Sequence, residues 1–326
     1  VNRQDEWVRA DARTRDLQVD LKVDDVETGM SMSDGSVELK SSKLSARIAP
    51  LGAELVKLAD EQGRDLLWNG DPAFWTGHAP LLFPIVGRLP GDQLVHEGVA
   101  YPMAQHGFAR RRTFEPVEAT SASARFVLVS DEETRRQYPF EFALSVTYTL
   151  DEATLTIKAE VSNPGTEPLP ASFGFHPAFL WPLPYGGIRA EHHLIFEKAE
   201  AEPIHRPVGG LLSAATEPNP AVDAVMALDD AMFERDALIF LDVRSHHVRY
   251  GVPGEPGLEI AFPGMAELGV WSKPGAPFLC IEPWSGYATP ENGPVEFMDK
   301  PGLSLIPPGG SKSFAMAVRW LSDSGR

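Results

Sequence analysis

The chain has 326 residues, 43% of them hydrophobic, and a formal net charge of −17. It is long enough to bury a large core, and the acidic balance argues against a broad nucleic-acid surface, because binding phosphates needs basic patches. A single cysteine, Cys280, excludes an intramolecular disulfide framework and fits a reducing, cytoplasmic setting, and no apolar run approaches the about 18 residues that read as a membrane span.

Residues 1–34 are charged and show no hydrophobic periodicity. The opening VNRQDEWVRADARTRDLQVD has no apolar stretch of the secretory-signal type. The segment is expected to be a flexible extension, with Met30 or Met32 as alternative starts of the functional protein. Residues 35–326 are expected to form a single β domain. From Ser36 onward the dominant period is two, in Val37–Ile48, in Arg125–Val129 and in Phe314–Trp320. Glu132–Gln137 is a candidate short helix. In FALSVTYTL (142–150) the residues Phe142, Leu144, Val146, Tyr148 and Leu150 share one face. After the turn Asp151-Glu152-Ala153, Leu155, Ile157, Ala159 and Val161 do the same, which predicts an antiparallel hairpin closed by Asn163-Pro164-Gly165. Leu238–Val243 is a continuous apolar run, consistent with a strand buried on both faces. The 29 prolines and 28 glycines leave little room for long helices. Many short strands with frequent turns predict an all-β sandwich or barrel.

Four segments place polar residues within apolar or Gly/Pro-rich surroundings: LLFPIVGRLPGD (81–92), QHGFARRR (105–112), FGFHPAF (173–179) and CIEPWSG (280–286). Glu282 ends an apolar run, where desolvation raises a carboxyl pKa and strengthens the carboxylate as a base. A strand-end glutamate paired with an arginine is the plainer alternative. His176 lies among aromatic residues, either as a packed core histidine or as an acid–base group. Gly107 lets the chain turn and leave the His106 ring accessible. Arg88 precedes a Pro-Gly turn and by itself reads as a solvated arginine. Arg110-Arg111-Arg112 reads as a surface run, of which strand alternation would let at most two converge on a phosphate.

Metal and nucleotide motifs are weak. The adjacent pairs His192-His193 and His246-His247 face opposite sides of a strand, and Cys280 has no cysteine partner, so no metal site is expected. PPGGSKS (307–313) lacks phosphate-loop spacing, and neither GxGxxG nor a GxSxG elbow is present.

Taken in order, LGAEL, LLFPIVGRLPGD, QHGFAR, FGFHPAF, LGVWSKPG and CIEPWSG resemble the aldose 1-epimerase (mutarotase) family, in particular its bacterial LacX-like branch, from about Leu51 to Trp320. The resemblance implies a β-supersandwich of galactose mutarotase type with no metal or organic cofactor. It implies Glu282 as catalytic base and His176 as the acid that protonates the ring oxygen. His106 and Arg88 match positions that bind sugar hydroxyls and the ring region. Trp75, Phe83, Phe179 and Trp284 are candidates for an apolar wall against a pyranose. The family's sugar-binding aspartate in an FDH-like motif has no counterpart here, and Asp236, in MFERDALIF, is the nearest candidate. The expected partner is a small sugar, with no nucleic acid or membrane, and the chain is expected to be a monomer or homodimer. Two other readings stand beside this one: a hexose-6-phosphate 1-epimerase using Arg88 and the arginine cluster, and a non-catalytic sugar-binding protein.

Overall fold

The hairpin expected over residues 142–162 forms between strands Ala143–Asp151 and Thr154–Ser162, with Leu150 opposite Leu155 and Leu144 opposite Val161. The alternate residues Leu144, Val146, Tyr148 and Leu150 are buried and face the core, each contributing about 1.5–3 kcal/mol by leaving water. The Tyr148 hydroxyl, buried with them, donates to the Ala53 carbonyl at 2.6 Å, so its polar tip is satisfied.

This computed structural model describes residues 34–322; the extension expected over residues 1–34 lies, except for Asp34, outside them. The hairpin sits inside a nine-stranded antiparallel sheet. Its strand order is Val225–Ala227, His193–Phe196, His247–Gly251, Gly257–Ala261, Ser311–Leu321, Thr154–Ser162, Ala143–Asp151, Ser123–Val129 and Glu115–Ala119. A second large sheet runs Leu211–Glu217, Ile204–Val208, Leu238–Phe240, Glu267–Trp271, Phe278–Ser285, Phe173–Phe175 and Leu81–Leu82, with Ala178–Leu180 also pairing Phe278–Ser285. Phe173 of the second sheet stacks on Phe314 of the first, with centroids 5.1 Å apart, and Phe240 meets Phe196 at 5.3 Å. The two sheets therefore pack face to face as a sandwich.

Some elements differ from the expected ones. Val37–Ile48 is two strands, Val37–Lys40 and Leu44–Ala49, because Ser41 closes a turn: its hydroxyl accepts from the backbone N–H groups of Lys43 and Leu44. The helix is one turn, Glu132–Arg135, capped by Asp131, which accepts from the Thr134 N–H while the Thr134 hydroxyl accepts from the Asp131 N–H. The apolar run after Leu238 is a strand only to Phe240. Among the described residues, no helix is long and apolar enough to cross a membrane.

Candidate active site

Period two sorts the second sheet into two faces. Phe173, Phe175, Phe179, Leu279 and Ile281 belong to the main core between the sheets. Cys280, Glu282 and Trp284 therefore point to the opposite, outer face. The sequence FGFHPAF crosses this strand in two pieces, Phe173–Phe175 and Ala178–Leu180, interrupted at His176-Pro177. Gly174 pairs with Trp284 before the break, and Ala178 pairs with Cys280 after it. Four residues separate the pairs on each strand, so the register is unbroken and His176 lies directly opposite Glu282. The Ile281 N–H donates to the Pro177 carbonyl at 3.2 Å. This makes the His176–Glu282 position the adjacent non-hydrogen-bonded pair, in which facing side chains come closest.

The consequence is a buried dyad. His176 Nε2 lies 3.2 Å from Glu282 Oε2, and the residues are 7% and 2% exposed. His176 Nδ1 and Glu282 Oε2 have no hydrogen-bond partner among the described residues. Three rings hold the imidazole. Trp75 stacks on it at 5.0 Å and 27°, while His106 and Trp271 meet it edge-on at 5.7 Å and 6.1 Å. Burial pushes the Glu282 carboxyl well above the usual carboxylate range, and the nearby Asp236 charge adds to the effect. Burial also pulls the His176 imidazole down to about 3, assisted by the Arg110 guanidinium. Both shifts favour the uncharged forms, a carboxylic acid beside a neutral imidazole.

Around the dyad is a cavity of about 280 Å³. His106, in a left-handed conformation at φ 64°, is fixed through the backbone. Its N–H donates to the Gly87 carbonyl at 2.7 Å, and its Nδ1 accepts from the Gly87 N–H at 3.1 Å. In the neutral ring the proton is therefore on Nε2, and burial together with the neighbouring His176 keeps the ring neutral. Gly107, which follows, has no room for a side chain: a Cβ there would stand 2.1 Å from the Phe83 carbonyl oxygen. Asp236 lines the cavity from the segment before the Leu238–Phe240 strand. Trp284 forms the floor between two glycines, since a Cβ on Gly174 or Gly269 would fall 2.6 Å or 2.4 Å from its ring. Gly269→Ala is therefore expected to displace the indole and destabilise the protein by about 1–3 kcal/mol. A thermal melt with tryptophan fluorescence reads both effects.

Of the residues singled out in the sequence, Glu282, His176, His106, Asp236, Trp284 and Trp75 line this cavity. Arg88 does not: its guanidinium is paired with Asp92 and donates to the Gly209 carbonyl at 3.0 Å. Phe83 and Phe179 are fully buried in the core instead of forming a sugar-facing wall. The arginine run is also different from expectation. Ala109–Arg111 is a 3₁₀ turn and not a strand, so alternation does not apply. Arg112 pairs with Asp131 and Glu133, while Arg110 lines the cavity. Burial and the adjacent Arg111 lower the Arg110 pKa to about 10, and it meets no carboxylate among the described residues. Sequence reasoning missed Trp271. Its signal was present in LGVW, since Trp271 and Gly269 alternate onto one face, with Gly269 opposite Glu282 and Trp271 opposite Cys280.

Comparison with known proteins identifies the family and the fold. Residues 35–289 match the model of the aldose 1-epimerase family. The plasmid and chromosomal LacX proteins of Lactococcus lactis subsp. lactis are each 32% identical over 286 residues, covering 84% of this chain and 95% of theirs. A galactose mutarotase related enzyme from Lactobacillus acidophilus superposes with a TM-score of 0.82 at 27% identity, covering 89% of this chain and 99% of that one. A galactose mutarotase-like protein from Lactobacillus casei gives 0.81 at 28% identity, covering 88% and 100%. The outer-face dyad thus sits on a galactose mutarotase-like sandwich, and the chain belongs to the aldose 1-epimerase family, in its LacX-like branch.

Proposed function

We propose that the protein interconverts the α and β anomers of a hexose, with Glu282 as base and His176 as acid. The observation that carries this reading is the 3.2 Å approach of the two groups in one sugar-sized cavity. The reaction removes a proton from the C1 hydroxyl and delivers one to the ring oxygen. Both oxygens are bonded to C1, so two groups this close can address them together. The C5–O5 unit then leaves C1 as a hydroxyl, the C1–C2 bond rotates, and closure on the other face reverses the transfers. No net proton is consumed, which suits a dyad holding a single one. Moving that proton from Glu282 to His176 gives the carboxylate and imidazolium the two roles need, without uptake from solvent. His106 Nε2–H and the Asp236 carboxylate supply one donor and one acceptor for ring hydroxyls, and Trp284 and Trp75 offer apolar faces to the pyranose.

One observation favours a narrower substrate. Arg110 is a cation of the cavity lining without a carboxylate partner among the described residues, the arrangement an anionic sugar such as a hexose 6-phosphate would use. Polarimetry on freshly dissolved α-D-glucose and α-D-galactose, with NMR exchange on glucose 6-phosphate, tests both readings. Acceleration of any of the three is the expected result, and a kcat/KM at least about tenfold higher for the phosphate would select the second reading. Binding of these sugars with no acceleration would instead identify a carbohydrate-binding protein.

A further inference from the structure

The outer face of the Phe278–Ser285 strand carries a second set of donors that the proposed epimerisation does not use in full. Cys280 and Glu282 are two residues apart on this face, and His176 lies across from Glu282. One ligand atom from each of the three, the sulfur, a ring nitrogen and a carboxylate oxygen, all lie within 4.8 Å of one another, and all three residues are buried. We propose that Cys280, His176 and Glu282 bind a thiophilic divalent cation of the Zn²⁺ class, and that the bound cation closes the sugar site.

Donor chemistry, geometry and charge support this together. Thiolate, imidazole and carboxylate are each zinc ligands, and the thiolate selects against Mg²⁺ and Ca²⁺. Bonds of about 2.0–2.3 Å to a tetrahedral ion hold donors roughly 3.3–3.8 Å apart. His176 Nε2 and Glu282 Oε2 already approach to 3.2 Å, and the thiol has only to close a gap within 4.8 Å. One of the donor atoms, Glu282 Oε2, is buried without a hydrogen-bond partner among the described residues, so coordination would satisfy what is otherwise unmet. On binding, the thiol proton and the one proton of the dyad leave. The ion's two positive charges then meet two negative ligands, and the floor stays neutral overall, as a desolvated site requires.

Cys280 is fully buried against Trp68, Ala178 and Phe278, with Trp271 partly covering the cluster. The ion reaches it from the cavity side, past His176 and Glu282, which line that cavity. Three protein ligands leave a fourth position open toward the cavity, the arrangement of a site that exchanges its metal. Coordination also occupies the lone pairs of both dyad members, so cation and sugar exclude each other. The metal site stands on the donor geometry alone; only the inhibition rests on the epimerase reading.

The test separates the two. Co²⁺ added to the full chain is expected to give a near-ultraviolet thiolate-to-cobalt absorption band at one equivalent, displaced by Zn²⁺. In Cys280→Ser and Cys280→Ala the band should vanish, and Zn²⁺ competition should show at least about tenfold weaker affinity. Glu282→Gln and His176→Gln should weaken binding in the same assay. Anomer exchange by the wild type should fall with added Zn²⁺ and recover with a chelator, whereas each Cys280 variant, measured against its own metal-free rate, should resist. The absence of a thiolate band at millimolar Co²⁺ would overturn the site, as would a band unchanged in both Glu282→Gln and His176→Gln. A band without loss of exchange in an active enzyme would overturn the closure of the sugar site.

Discussion

Glu282→Gln is expected to slow anomer exchange by about 10³-fold or more and, at the same time, to melt at a higher temperature than the wild type at pH 8. The rate loss follows from removing the proton acceptor at C1, within the about 10²–10⁴-fold range of a single acid–base group, and from removing the carboxyl proton that would otherwise charge His176. The stability gain has the opposite origin. Burial raises the Glu282 pKa in the folded protein, so folding binds a proton more tightly there than the unfolded chain does. Stability linked to such a group is fully present below its unfolded pKa and is lost as pH rises toward the folded one. In the window above about pH 4.3 the wild type therefore gives up about 1.4 kcal/mol per pH unit until the folded carboxyl ionises. Glutamine carries no such cost. The melting-temperature gap should widen from pH 5 to pH 8, at about 2–4 °C per kcal/mol for a protein of this size. Calorimetry across that range with polarimetry on the same samples checks both halves, and a variant that loses stability as pH rises in parallel with the wild type would contradict the raised pKa.

His176→Gln is expected to reduce exchange by about 10²–10⁴-fold with the reverse pH signature in stability. The imidazole is held down to about 3 by burial, so the unfolded chain binds the proton more readily than the folded one. Stability linked to His176 is present above its unfolded value of about 6.5 and is lost as pH falls toward 3. The variant should gain on the wild type as pH drops from 6.5, where Glu282→Gln is converging with it. For the wild-type enzyme the same pair predicts no limb in the pH–rate profile near 6.5, because the working and resting forms differ by an internal proton transfer and not by exchange with solvent. A steep limb centred near 6.5 would instead place an independently titrating imidazole in the mechanism.

Much of the fold could be read from period two alone, because a half-buried antiparallel strand must alternate. The Ala143–Ser162 hairpin is the clearest case. Where alternation misled, a short-range contact was responsible. The buried set passes from the odd positions Val37 and Leu39 to the even positions Leu44, Ala46 and Ile48, and the Ser41 hydroxyl closes the turn between them. The active site divides in the same way. Glu282, His176 and His106 were legible because each sits in a segment whose composition is odd for its surroundings. Arg88 met that criterion and still faces elsewhere, since Asp92, only four residues on, draws its guanidinium away. Arg110 was hidden within a run that resembled a solvated surface, and only the 3₁₀ turn sorts its three arginines to different places. The donor set at Cys280 was invisible because its members come together across strands, whereas the search in sequence was for neighbours and short spacings.

The break at His176-Pro177 constrains length more than chemistry. Both flanking pieces keep one register on the Phe278–Ser285 strand, so the count of residues from Gly174 to Ala178 decides on which side of the sheet the imidazole emerges. Gaining or losing a single residue there would turn His176 into the aromatic core and bring a neighbour out in its place, with every downstream pairing of Ala178–Leu180 inverted. An insertion or deletion in those five positions would have to come in twos, or be matched by one in the opposing strand.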